Sequence, residues 1–169
     1  MDGKTVTLGL ADAKVGAYPP KDQAPAPEVR VERRDDPQGA YVLVTVTPKP
    51  GTPAWTAVEV AVPQRFFDQR VESVELEAWN PSGVPITIVA DACILPDKLC
   101  FEIGFCRDHT PWQQGWQKLH VPLQGKDRNP LGEKEVEIKP PLRLKYLLLI
   151  MRQGKPYEIG LRRLTAQVE

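Results

Sequence analysis

Apolar and polar residues alternate along much of this chain, which is the pattern of β-strands that bury one face. Within the segment 71–79, Val74, Leu76 and Ala78 show it clearly, because they alternate with Glu75 and Glu77. Between turn-forming residues, the pattern predicts about ten strands, near 4–10, 28–34, 40–47, 55–62, 71–79, 84–93, 98–107, 116–121, 142–151 and 156–168.

Two of these segments also predict which side chains are buried. Phe101 and Ile103 alternate with polar or small residues, so we expect them to face the core together with Ile88 and Ala90. Residues 142–151, LRLKYLLLIM, are apolar on both sides in their second half. That composition predicts a strand in the middle of a sheet, covered on both faces.

The prolines argue against a helical protein. Most of the 18 prolines lie between the apolar runs, where they end strands and stiffen turns. One helical turn is predicted, at 64–70, where Phe66 and Phe67 would close one end of the structure. The length fits a single domain, 1–169, which can bury a core without metal or disulfides. The expected fold is therefore an all-β sandwich of about ten antiparallel strands in two sheets.

The charge balance argues against two classes of partner. Lysines and arginines number 22, as do aspartates and glutamates, so no general attraction to nucleic acid or to an anionic membrane is expected. No apolar run approaches the roughly 20 residues that span a bilayer. The first residues, MDGKTVTLGL, do not have the pattern of a signal peptide. The compartment stays open: the chain is cytoplasmic, or it is a module of a longer protein, secreted if that protein acts on glycans.

Several motifs follow one another in an order that indicates a family. A strand ends in the turn NPSG at 80–83, a strand with the outward Asp91 follows, and a hairpin returns the chain. The segment GWQKLHVPL at 115–123 comes next, before an aliphatic strand and the last strand at 157–168. Over about residues 40–168 this order resembles the jelly-roll carbohydrate-binding modules with galactose-binding-like topology. The resemblance implies a jelly-roll sandwich and a non-catalytic domain of the kind attached to glycoside hydrolases.

The last strand departs from the pattern of that family. Such modules often carry an aspartate there that helps to hold a structural calcium, whereas this chain has Ile159, Gly160, Leu161 and Arg162. Calcium takes roughly six to eight oxygen ligands, and Gly160 and Leu161 offer no side-chain oxygen. No metal and no cofactor are therefore expected.

The hairpin centred on residues 96–97 brings two carboxylates together. With these residues in the turn, Asp91 faces Glu102 on the side opposite the apolar residues. Three interpretations stay open. The pair lies on a solvated face beside Lys118 or Arg107, or it accepts hydrogen bonds from a ligand, or it holds a metal or acts in catalysis.

The same register places Cys93 opposite Cys100, within reach of a cross-strand disulfide. Cys106 would then be left over, and three separate thiols are the alternative, because the compartment decides between them. No zinc site is expected, since the CxxC spacing is absent and His109 and His120 have no cysteine close in sequence.

The four tryptophans supply the argument for binding, because sugar rings stack their C–H faces on flat aromatic side chains. Trp112 lies in the polar loop 107–114, where it either contacts a ligand or folds back over the core. Trp79 is expected to pack at the edge of the core, whereas Trp55 and Trp116 could serve either purpose.

No catalytic motif is recognisable: the chain has no GxSxG elbow, no cysteine with an evident basic partner and no glycine-rich phosphate loop. The sequence therefore predicts a protein that is not an enzyme but a module that binds a poly- or oligosaccharide, with a neighbouring catalytic domain as a second partner. The alternatives are a structural β-sandwich that supports a neighbouring domain without binding sugar, and a small glycan-active enzyme. The residues expected to contact the ligand are Trp112, Asp91, Glu102, Arg107, Asp108, Lys118 and His120.

Overall fold

The computed structural model describes residues 3–18, 25–63, 70–95, 99–107, 111–123, 126–128 and 135–169. These residues form thirteen strands: β1 (Lys4–Gly9), β2 (Val15–Tyr18), β3 (Glu28–Arg34), β4 (Tyr41–Thr47), β5 (Thr56–Ala61), β6 (Val71–Trp79), β7 (Thr87–Ile94), β8 (Leu99–Cys106), β9 (Trp116–Pro122), β10 (Lys126–Arg128), β11 (Glu135–Glu137), β12 (Leu142–Met151) and β13 (Tyr157–Val168). Within this part of the chain no helix occurs, and hence none long enough to cross a membrane.

The strands form two antiparallel sheets, which confirms the predicted all-β sandwich. The six-stranded sheet has the order β3-β4-β13-β6-β9, with β1 paired to the second half of β13. The five-stranded sheet has the order β2-β5-β12-β7-β8, and β10 and β11 form a separate hairpin. Apart from β3–β4 and β7–β8, neighbours in both sheets are not consecutive in sequence, as in a jelly-roll.

The core lies between the two sheets and is built by period-two alternation. Ile103 and Leu147 of the five-stranded sheet are fully buried, as are Leu76 and Leu164 of the six-stranded sheet. The predicted inward positions of Phe101, Ile88 and Ala90 are also confirmed by their burial, as is that of Phe105. Strand β12 lies between β5 and β7, as its two apolar faces predicted.

Ten of the thirteen strands correspond to predicted segments, and β2, β10 and β11 were missed. The three missed strands have only four, three and three residues and lie in segments rich in glycine or charge. The predicted helical turn at 64–70 lies outside the described residues, apart from Arg70.

Two connections cross from one sheet to the other at the same end of the sandwich. The segment 80–86 joins the end of β6 to the start of β7, and the segment 107–115 joins the end of β8 to the start of β9. The register explains why they meet: Ile88 pairs with Cys106, and Trp79 pairs with Trp116. The NPSG turn at 80–83 and the connection that contains Trp112 therefore lie side by side at this end of the sandwich.

Candidate functional site

The outer face of the five-stranded sheet carries the predicted carboxylate pair. Asp91 of β7 pairs with Glu102 of β8, and Cys93 pairs with Cys100, so the predicted hairpin register is confirmed. Cys93 and Cys100 form a disulfide, which resolves the alternative left open by the sequence. Cys106 keeps a buried thiol, whose pKa burial raises to about 11. Its thiol is therefore protonated at neutral pH and unreactive.

Asp91 lies in a half-buried setting beside a tyrosine and a lysine. Tyr146 of β12 is its cross-strand neighbour and hydrogen-bonds to its side chain. Partial burial raises the pKa of Asp91, while the charge of Lys145 and the hydrogen bond from Tyr146 lower it less strongly. A β-bulge at Lys145 turns Tyr146 to this face, which strict alternation along β12 would not do.

Glu102 lies beside two arginines. Partial burial also raises the pKa of Glu102, the charges of Arg107 and Arg152 oppose that shift, and the charge of Asp91 adds to it. Arg107 lies across Gly104, where a Cβ would come within 3.0 Å of its guanidinium group. Because Gly104 has no side chain, Arg107 has room to lie along the sheet.

An apolar strip continues along the same face. Val89, Ala57 and Ile150 form a small buried cluster with Leu148 packed against it, separate from the main core. Val89 and Leu148 are cross-strand partners, and each lies two residues along its strand from the paired Asp91 and Tyr146. The outer face of this sheet therefore carries carboxylate, guanidinium and phenol groups beside a buried apolar cluster, of which Leu148 is the partly exposed member.

The surroundings of Asp91 do not make a metal centre. In the described part of the chain, one group of potential ligands has its atoms within 4.8 Å of one another, namely Asp91, Cys93 and Cys100. Two of these three ligands are the sulfur atoms of the disulfide, so they offer no thiolate.

Two predicted site residues lie on the opposite side of the molecule. Lys118 and His120 belong to β9 of the six-stranded sheet, where they face Glu77 and Glu75 on its outer surface. The interpretation of Lys118 as a charge partner of Asp91 is therefore corrected. Asp108 lies outside the described residues.

The outer surface of the six-stranded sheet holds an aromatic cluster around a buried arginine. Trp79 and Trp116 are cross-strand partners with ring centroids 5.8 Å apart, and Tyr41 packs edge-on against Trp116 at 5.0 Å. The Arg162 guanidinium lies 4.0 Å from the centroid of the Trp116 ring and is 2% exposed. A Cβ on Gly160 would come within 3.0 Å of Trp116, so this position must be small for the ring to lie on the sheet.

Two carboxylates neutralise Arg162. Its Nη1 donates to Oε1 of Glu77 at 2.7 Å, and its Nη2 lies 3.5 Å from Oδ1 of Asp36. The other oxygen of Glu77 pairs with Nε of Arg163 at 2.9 Å. A bulge between Leu161 and Arg163 places both arginines on the same face. Sequence reasoning missed this cluster because alternation along β13 does not reveal the bulge.

Trp112 lines a cleft at the end of the sandwich where the two connections meet. It packs partly against the core, as one of its two predicted roles requires, and it also borders the cleft. The cleft has a volume of about 390 Å³ and is lined by Trp79, Asn80, Pro81, Ser82, Gly83, Trp112, Gln113, Gln114 and Gly115. The structure thus separates Trp112 from Lys118 and His120, which the sequence analysis had grouped in one site.

No protein-family model matches the chain, and no curated protein matches it in sequence. Among solved structures, the family 11 carbohydrate-binding module from Clostridium thermocellum, determined with a β-1,3-1,4-mixed-linked tetrasaccharide, is 10% identical with a TM-score of 0.58. The match covers 97% of this chain and 95% of that one. A family 30 carbohydrate-binding module is 10% identical with a TM-score of 0.54, covering 98% and 89% of the two chains. At such identities the likeness concerns the fold, and the fold of this chain is that of these jelly-roll carbohydrate-binding modules.

Proposed function

We propose that this protein is a non-catalytic saccharide-binding module, and that the outer face of its five-stranded sheet is the binding surface. The observation that carries the proposal is the Asp91–Glu102 pair, which lies beside arginine, lysine and tyrosine side chains next to an apolar strip. The shared fold supports the proposal, because one module of that fold was determined with a bound tetrasaccharide.

The chemistry of a sugar explains why this combination fits. The ring presents apolar C–H faces, which lose contact with water on an apolar or aromatic surface. Its hydroxyl groups then need donors and acceptors, because an unpaired buried polar group costs about 1–3 kcal/mol. Asp91 and Glu102 accept hydrogen bonds, Arg107 donates them, and Tyr146 offers a ring beside them.

The geometry favours binding over glycoside hydrolysis. Asp91 and Glu102 are direct cross-strand partners that project from the same face of one sheet. Both would therefore approach a glycan from one side. The two carboxyl groups of a glycosidase instead flank the bond that is cleaved, one on each side of it. The proposed role is thus to hold a glycan. In the native protein, the module would hold that glycan for a neighbouring catalytic domain.

The test is affinity electrophoresis in gels that contain mixed-linked β-glucan or other soluble polysaccharides, followed by calorimetry with a tetrasaccharide. Asp91→Asn should weaken binding by about tenfold, because a charge-assisted hydrogen bond contributes about 1.5–3 kcal/mol. Glu75→Gln is the matched control, since Glu75 lies on the outer surface of the other sheet.

Two results would contradict this proposal. If the wild-type protein is not retarded by any polysaccharide, the alternative of a structural module that supports a neighbouring domain takes its place. If Asp91→Asn and Glu75→Gln both bind as the wild type does, the protein binds glycans elsewhere.

A further inference from the structure

We infer that the cleft at the end of the sandwich is a second saccharide site, which takes a single uncharged sugar unit at the end of a glycan. This inference goes beyond the proposed function, because the cleft is formed by other residues at another part of the molecule. It would hold even if the face that carries Asp91 and Glu102 bound nothing.

One wall of the cleft is fixed by its own hydrogen bonds. The buried amide of Asn80 donates to the carbonyl of Val84 at 2.8 Å and accepts from the backbone N–H of Gly83 at 3.1 Å. Gly83 has a φ of 67°, a left-handed conformation that favours glycine. The Ser82 hydroxyl accepts from the backbone N–H of Glu158 at 2.8 Å and retains its own proton for donation. The wall is therefore in place before a ligand arrives.

The opposite wall carries two amides. The backbone N–H of Gln113 donates to the side-chain oxygen of Gln117 at 3.2 Å, which ties this loop to β9. Gln113 and Gln114 expose their own side chains at the cleft, where each offers both a donor and an acceptor. Gly115, with a φ of 81°, ends this wall.

The indole of Trp79 borders the cleft and packs against two other aromatic rings. Trp116 lies against it, and Tyr41 meets it edge-on at 6.3 Å. The Arg162 guanidinium in turn supports Trp116. A ring fixed in this way offers a flat surface with little loss of side-chain freedom on binding.

Trp112 borders the same cleft at a cost to the unliganded protein. Its Nε1–H is buried and has no hydrogen-bond partner among the described residues. A phenylalanine would avoid that unpaired group, so the indole is not the best choice for packing alone. Buried groups that are unfavourable for folding occur preferentially at functional sites. The N–H is buried, while other parts of the same side chain border the cleft.

The side chains that line the cleft indicate the class of ligand. Among the described residues, the nine that line the cleft have no titratable side chain, so they offer no counter-charge for a phosphate, a carboxylate or an ammonium group. Two indoles suit an apolar ring face, and the amides with a hydroxyl suit ring hydroxyl groups. Its volume of about 390 Å³ lies at the small end of the range for ligand sites, which favours one sugar unit.

The experiment is an NMR titration of the Asp91→Asn variant with neutral oligosaccharides: cellotetraose, xylotetraose, mannotetraose and the mixed-linked β-glucan tetrasaccharide. The indole N–H signals of Trp79 and Trp112 should shift with at least one of them. The affinity should be equal at pH 4.5 and pH 7.5 and in high salt, since none of the described residues that line the cleft is charged.

Gln113→Ala combined with Gln114→Ala should then lower the affinity at least tenfold. Gln153→Ala is the matched control, because Gln153 is an exposed glutamine of the β12–β13 connection and should leave the affinity unchanged. Trp112→Phe keeps the packing and should also weaken binding.

The outcomes separate the two proposals. If Asp91→Asn abolishes all binding, or if the double glutamine variant binds as well as the control, the cleft is not a saccharide site, whereas the proposed function can stand. If binding persists in Asp91→Asn and is lost with the two glutamines, the cleft is a saccharide site, and the proposed surface fails separately if Asp91→Asn alone binds as well as the wild type.

Discussion

At the scale of the residue, Asp91 and Glu102 are the clearest case of a side-chain arrangement unfavourable for folding. Burial raises the pKa of both carboxyl groups, so each charge is less well solvated in the folded protein than in the unfolded chain. Arginine, lysine and tyrosine neighbours reduce that cost without removing it. Such a pair is retained more readily where the carboxylates have a partner other than the protein itself.

The raised pKa values lead to a prediction about stability and pH. The native pKa values lie above the ordinary values of 3.8 for Asp91 and 4.5 for Glu102. Between the ordinary and the raised pKa values, the folded protein therefore binds more protons than the unfolded chain. The stability that this pair contributes falls as the pH rises through that window. Asp91→Asn should raise the melting temperature at pH 7, and the gain should shrink below about pH 4, where Asp91 is protonated in both states.

Thermal unfolding of the wild type and of Asp91→Asn between pH 3 and pH 8 measures this difference. Glu75→Gln serves as the control for loss of one surface charge. A melting temperature of Asp91→Asn that is lower than the wild type at pH 7 would show that the bonds to Tyr146 and Lys145 outweigh the burial of the charge.

Ile103 gives a second prediction at this scale. Its side chain is fully buried between the sheets, in the row next to the Asp91–Glu102 pair. Ile103→Ala should lower the free energy of unfolding by about 2–5 kcal/mol, from lost burial and the cavity left behind. Urea unfolding measures it, with Val31→Ala at an exposed position as a control that should change it by less than about 0.5 kcal/mol. A neutral Ile103→Ala would mean that the hairpin is shifted by one residue.

The sequence predicts the position of a residue when its pairing partner is close in the chain, and it does so less well when the partner is distant. The pairing of Asp91 with Glu102 follows from a short hairpin, in which the turn determines the register. The location of Lys118 and His120 could not be read in the same way. Alternation along β9 shows which residues share a face, but not which of two sheets the strand joins.

At the scale of the element, β13 is unusual in placing a buried arginine on the outer face of its sheet. The bulge inserts Arg162 between Leu161 and Arg163, and the residue is covered by aromatic rings and paired with carboxylates. A buried guanidinium is tolerated only while its partners remain, because its desolvation is otherwise uncompensated. The element therefore depends on Glu77 of the neighbouring strand.

Removal of Glu77 tests that dependence. Glu77→Ala should lower the free energy of unfolding by about 3–5 kcal/mol, because it leaves Arg162 with Asp36 alone at 3.5 Å. Glu75→Ala, two residues earlier on the same face of β6, should cost less than about 0.5 kcal/mol. Chemical denaturation of both variants decides the matter, and equal values would mean that the ion pair contributes nothing specific.

The long strands could be predicted, and the irregularities within them could not. Residues 74–79 of β6 and 100–105 of β8 alternate strictly, so the pattern is sufficient there. The bulges at Lys145 and Arg162 change which residues share a face, and they decide the positions of Tyr146 and of the arginine cluster. Bulges arise from the pairing with neighbouring strands, which a single strand does not show.

At the scale of the whole molecule, the sandwich separates two kinds of surface. The outer face of the five-stranded sheet carries charged side chains, whereas the described residues that line the end cleft are uncharged. The order of motifs along the chain predicted the jelly-roll through its resemblance to a known family of modules. The cleft could not be predicted, since it forms where two connections distant in sequence meet.

The last prediction concerns metal and belongs to this scale, because loss of a structural ion would destabilise the entire sandwich. In the last strand, Gly160 lies beneath tryptophan rings and Arg162 supplies a cation from the chain itself, paired with Glu77 and Asp36. The guanidinium compensates the charge of these carboxylates, so no metal ion is needed there. Treatment with EDTA should therefore move the melting temperature by less than about 2 °C, which for this length corresponds to under about 1 kcal/mol. Thermal unfolding with and without chelator measures it, with Glu77→Ala as a reference for a genuine loss. A fall of many degrees that added calcium reverses would contradict the prediction and reveal oxygen ligands elsewhere in the chain.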